Sequence, residues 1–138
     1  MKPSAARAAH IEAIEEPLTT RPKAAAGDRL RVLLASQEPE AIAERTVMVT
    51  LLALDKSDVD ALDIYTVTYQ VAVYYTSTKD VEDRIADDAN ALSERLWRLH
   101  TRNADIQAST PGPLSIETRP GLVISRRDVT IIFRGGGA

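Results

Sequence analysis

Apolar and polar side chains alternate without a break from residue 64 to 76. Tyr65, Val67, Tyr69, Val71, Val73 and Tyr75 share one face; Thr66, Thr68, Gln70, Ala72, Tyr74 and Thr76 share the other. Successive side chains of a strand point to opposite faces, so the spacing predicts a long strand with one buried and one half-wet face. The period then changes. Val81, Ile85, Ala89, Leu92, Leu96 and Leu99 step by four and three, the apolar stripe of a helix from about Lys79 to His100. Ser77-Thr78 cap it, Asp80 and Glu82 sit in its first turn, and Arg95, Arg98 and His100 in its last, as the helix dipole favours. Strands usually run about five or six residues, so one this long in a small domain suggests a sheet that reaches beyond its own subunit.

The remaining pattern fills in around this pair. Ser4 caps a short helix over Ala5–Glu15 with Ala6, Ala9, Ala13 and Ile14 inward, and Pro17 stops it. Residues 17–27 read as a loop, Arg29–Ala35 as a first strand, and Glu38–Glu44 as either a helical turn or an exposed loop. Thr46–Leu54 is apolar on both faces and reads as a central strand, with Asp55–Asp63 connecting it to the next. Residues 101–113 read as a polar loop with a Pro-Gly-Pro turn. Leu114–Thr118 and Gly121–Phe133 read as two strands, and Arg126-Arg127-Asp128 marks a bulge or an interface. This order predicts an α+β class: a mostly antiparallel sheet with one long amphipathic helix packed across it and a short N-terminal helix. Residues 1–134 form one domain and residues 135–138 a flexible end.

With 138 residues and 44% apolar side chains the chain can bury one core. It has no cysteine, so disulfides and thiolate metal sites are excluded. No segment reads as a signal peptide or a membrane span, which points to a soluble protein made in a reducing compartment. The net charge of −3 hides a segregation. Residues 1–37 carry six basic and four acidic side chains, residues 38–94 four and thirteen, and residues 95–138 seven and three. Either the acidic middle and basic end attract neighbouring copies head to tail, or these are simply solvated faces.

Catalytic signals are weak. His10 and His100 each stand near a helix end without a second ligand at metal spacing, and read as solvated. Asp55, Asp58, Asp60 and Asp63 lack the glycine and terminal glutamate of a calcium loop. Asp87-Asp88 reads as a solvated pair, and no nucleophile elbow or phosphate-cradling glycine loop is present. We expect no enzyme and no cofactor. The arginines of the C-terminal third have no stacking aromatics between them, which argues against sequence-specific nucleic-acid binding.

In organisation the chain resembles the tail terminator, or tail completion, proteins of long-tailed bacteriophages, a head-tail joining family. The likeness rests on the N-terminal Ser4-Ala5-Ala6-Arg7-Ala8-Ala9-His10-Ile11 helix and the segment Tyr69-Gln70-Val71-Ala72-Val73-Tyr74-Tyr75. The helix Val81–Leu99 and closing strands ending at Phe133 complete it. The resemblance implies a structural virion protein, assembled in the host cytoplasm, forming a homo-oligomeric ring, usually a hexamer, at the head-proximal end of the tail. Such a ring caps the tail tube protein, stops its elongation and offers a surface to the head-tail connector protein. Non-specific contact with DNA passing through the ring is compatible with this, and no membrane is involved. The alternative is a small soluble α+β binding or regulatory domain acting as a monomer or dimer.

For an interface, Thr66, Thr68, Gln70 and Tyr74 on the wetter strand face either meet a neighbour or form an ordinary solvent face. Arg126, Arg127 and Arg134 either line a lumen and meet an acidic partner or form a solvated edge. Asp83, Asp87 and Glu94 on the outer helix face are candidate partners for a neighbour's arginines. Trp97 reads as core rim.

Overall fold

The computed structural model describes residues 1–19, 31–34, 46–59 and 62–135. They form α1 (Pro3–Thr19), β1 (Arg31–Leu34), β2 (Thr46–Val59), β3 (Leu62–Thr76) and α2 (Val81–Trp97). These are followed by α3 (Leu99–Arg102), β4 (Ile106–Pro111), β5 (Ser115–Arg119) and β6 (Leu122–Arg134). The class is α+β. One sheet runs in the order β1-β2-β3-β6-β4, with β5 beside β4 on the same edge of β6; all pairings are antiparallel except β1 with β2.

The 15-residue β3 is the axis of the molecule, paired along almost its whole length with β2 on one side and β6 on the other. Residues directly opposite one another share a face. Val47 and Val49 therefore stand with Val73 and Val71, and Val129, Ile131 and Phe133 with Tyr69, Val67 and Tyr65. Both long helices cover this face. His10 of α1 stacks on Tyr69, and Asp88 of α2 receives a hydrogen bond from Tyr75. Ile14, Leu92, Leu96 and Leu99 close the main core against the sheet. On the opposite face a smaller cluster joins Ala72, Tyr74 and Ile124.

Several elements depart from the sequence reading. The N-terminal helix is not short: at 17 residues it equals α2. It starts at Pro3, where a missing N–H costs nothing, and the Lys2 carbonyl accepts from Ala5 and Ala6, so Ser4 is not its cap. It continues past Pro17, because a proline in the last turn removes one bond and leaves its neighbours in place. The helix expected over 79–100 is two helices, parted at Arg98 (φ −98°, ψ 10°). Its N-terminus is Asp80 without a side-chain cap, since Thr78 donates to the Asp80 carboxylate instead, at 2.6 Å.

The Asp55–Asp63 connection is largely strand, with β2 running to Val59 and β3 resuming at Leu62. Within the expected 101–113 loop lies β4. Arg126-Arg127-Asp128 is no bulge, since β3 and β6 keep one register from Ile64–Arg134 to Thr76–Leu122. Gly135 is held rather than loose: it is buried and donates to the Asp63 carbonyl at 2.7 Å. The rest of the 17–27 loop, the 38–44 segment, the flanks of β1 and residues 136–138 lie outside the described residues.

Candidate interaction surface

The residues singled out from the sequence fall in three places. Thr66, Thr68 and Gln70 lie half-buried on the opposite face of β3, where the Thr68 and Thr130 hydroxyl oxygens are 3.4 Å apart. Because β3 is flanked on both sides, they can meet a neighbour only through the face of the sheet. Tyr74 is buried in the smaller cluster and is not available to a partner. Asp83, Asp87 and Glu94 are exposed on α2, and Arg134 is exposed at the end of β6. Trp97 is exposed as well.

Arg126 and Arg127 separate. Arg126 points to the opposite face, where its Nη1 donates to Glu117 Oε2 at 2.6 Å while Arg119 donates to Oε1 of the same carboxylate. Hydrogen bonds from these two arginines, Arg126 first, hold the Glu117 carboxyl below its ordinary range, and the Glu117 contact raises Arg126. Arg127 points under α2, is buried, and donates to Ser93 Oγ at 2.7 Å; burial lowers its pKa. It is an internal strut between β6 and α2. Beside it Tyr75 donates to buried Asp88 at 2.8 Å, and the Arg84 guanidinium lies 5.8 Å from the Tyr75 ring centre. Asp88 is thus no solvated twin of Asp87: it is buried against Tyr75 while Asp87, about 100° further round the helix, is exposed.

His10 is likewise internal. It is fully buried and stacked on Tyr69 with ring centres 4.8 Å apart, and neither ring nitrogen has a hydrogen-bond partner among the described residues. Burial lowers its pKa to about 4, so the imidazole is neutral near pH 7. Its place follows from helix geometry, since Ala6, His10, Ala13 and Ile14 lie on one stripe. Among the described residues no group of three or more histidines and carboxylates is placed to hold a metal ion, and no helix is long and apolar enough to cross a membrane.

The conspicuous surface lies where the sequence reading placed a central strand. β1 pairs with β2 only from Thr46 to Val49. Beyond that, no described strand lies against the outer edge of Thr50–Val59, and Leu51, Leu52 and Leu54 are 54, 49 and 48% exposed. A register shift after Leu51 inserts Leu52 as an extra residue. Leu51 opposite Tyr69 and Leu54 opposite Val67 therefore both face the helix side. Across the sheet, a groove of about 520 Å³ opens on that same side between α2 and β5. Val81, Ile85 and Val123 form its floor, with Leu114, Ile116 and Thr118 along the β5 side. Ile116 is 52% exposed. Large apolar side chains half in water at two opposite edges are the mark of surfaces that meet a partner.

A scan against protein-family models matches none, and a search of curated proteins returns no similar sequence.

Proposed function

We propose that this chain is a structural subunit that assembles with copies of itself into a closed ring, in the manner of the tail terminator proteins its organisation resembles. The ring caps a tail tube, stops its elongation and carries the surface that meets the head connector, at the head-proximal end of a virion tail. Its action is binding, with no bond broken. The observation that carries this reading is the outer edge of β2: unpaired by any described strand from Thr50 to Val59 and bearing three half-exposed leucines. A chain whose sheet has two such edges can bury both by repetition, and an edge-to-edge repeat that closes makes a ring. The charge segregation supports it, with Asp55 on the β2 edge and Arg119 and Arg126 toward the other. In this reading α2 is the amphipathic brace across the sheet, with Asp83, Asp87 and Glu94 outward toward the next copy or a tail partner.

A binding or regulatory domain is the second reading, and the apolar groove between α2 and β5 is the observation that favours it. Light scattering behind size exclusion at low and high protein concentration separates the two. A defined multimer, near six subunits, is expected for the ring. A monomer that persists at high concentration and in the presence of tail tube protein overturns it.

A further inference from the structure

We propose that successive copies are joined by Leu51 and Leu54 of one copy seating in the α2–β5 groove of the next, with β2 of the first adding to the outer edge of β5 of the second. This deepens the ring reading and rests on it. The first support is the match of faces. Leu51 and Leu54 lie on the helix-bearing face, and so do Ile116 and Thr118, because they stand opposite Ser125 and Val123. Joining the edges therefore brings apolar side chains together on one side of a continuous sheet.

Direction agrees. β2 and β6 both run antiparallel to β3, and β5 runs antiparallel to β6. When neighbouring copies keep their strands roughly aligned, β2 of one is antiparallel to β5 of the next, the commoner pairing. Setting Leu54 beside Ile116 and, with Leu52 again the extra residue, Leu51 beside Thr118 keeps the whole of β5 on the stretch of β2 that β1 leaves open.

The alternative acceptor, β4, has no room on that face. Its inward residues Ile106 and Ser109 are already buried, with α2 and α3 packed over the strand. At β5, by contrast, α2 stands off and leaves a groove. Charge agrees too. The pairing puts Asp55 beside Ser115, which stands opposite Arg126, where two guanidiniums share the single carboxylate of Glu117.

The join fixes a stagger. Leu54 is level with Ile131 through Val67, whereas Ile116 is level with Ser125, so successive copies step six residues along β6. That is about 20 Å along the strands for about 19 Å across the four strands β2, β3, β6 and β5. Strands so joined tilt about 45° to the ring axis, at the upper end of the range in which closed sheets form.

The absence of cysteine allows a clean test. Leu54→Cys and Ile116→Cys are made in separate chains, mixed and oxidised; opposed residues of an antiparallel pair are within disulfide reach. The expected result is a mixed disulfide at least about tenfold more abundant than with Leu54→Cys and Thr101→Cys, whose partner cysteine lies exposed on α3. Loss of 8-anilinonaphthalene sulfonate binding on assembly of the unmodified protein is the second expected result. Absence of the disulfide in a preparation that light scattering shows to be multimeric overturns this joint and leaves the ring. Absence in a preparation that is monomeric at every concentration overturns both. Dye binding that persists undiminished in the multimer assigns the groove to a small apolar ligand and overturns the joint.

Discussion

Two neighbouring apolar stretches of β2, residues 47–49 and 51–54, are built from much the same kind of residue and have opposite fates. Val47 and Val49 are buried, because β1 and β3 flank them and the helix layer covers them. Leu51, Leu52 and Leu54, a few residues further, stand about half exposed, with β3 the one flanking strand among the described residues. The three leucines are no less hydrophobic than the two valines, so the difference in burial follows the number of neighbouring elements rather than the side chain. An apolar segment short of neighbours either burdens the monomer or awaits a partner. Substitutions distinguish these by whether they cost stability or association.

The largest effect is expected in the covered half of the molecule. Leu96→Ala, at a fully buried position between α2 and the sheet, lowers unfolding free energy by about 2–5 kcal/mol in urea titration and leaves the size of whatever remains folded unchanged. Acid probes the same layer. Folded His10 favours the neutral form, with its pKa lowered to about 4 from 6.5, so stability is complete above pH 6.5 and declines as pH falls toward 4. The total loss is roughly 3 kcal/mol. His10→Phe keeps the stacking on Tyr69 and flattens that slope; an unchanged slope assigns the acid sensitivity elsewhere.

Gly135→Ala sets a methyl 2.5 Å from a ring carbon of Tyr65, which is stacked on Phe133 at 5.1 Å. The ring must move, at a cost of about 1–3 kcal/mol, visible as a lower melting temperature. Leu51→Glu with Leu54→Glu is the smallest for the monomer, within about 0.5 kcal/mol, as for other exposed positions. It is expected to abolish the multimer nonetheless. An equal loss of stability in this variant erases the contrast between the two stretches.

The elements legible from the sequence are those whose periodicity is unbroken. β3 alternates from Ile64 to Thr76 and pairs in one register with β6 over that stretch. Val81, Ile85, Leu92 and Leu96 keep helical spacing and are buried. The turn between β5 and β6 was equally plain, since Pro120 precedes a Gly121 at φ +73°. What escaped has a local cause. Register shifts after Leu51 and after Ile106 put two inward residues an odd number apart, as with Ile106 and Ser109, so the alternation that announces a strand fails in β2 and β4. Asp55 and Asp58, with Asp60 and Asp63 following, make the far half of β2 read as a connection. His10 reads as polar by type, and only the stripe it shares with Ala6, Ala13 and Ile14 betrays that it is inward. The groove had no signature at all, because it arises where α2 and β5 fail to touch.

The central position of β3 also sets the order in which the molecule is made. Its hairpin with β2 closes across two residues, a microsecond event. Its other edge waits for β6, and even the nearest pair, Thr76 with Leu122, is separated by 46 positions along the chain. A nascent chain therefore carries a finished hairpin with a bare second edge until the last strand has been synthesised. Such non-local pairing places refolding toward the millisecond-to-second end of the scale and makes β6 the step on which it turns.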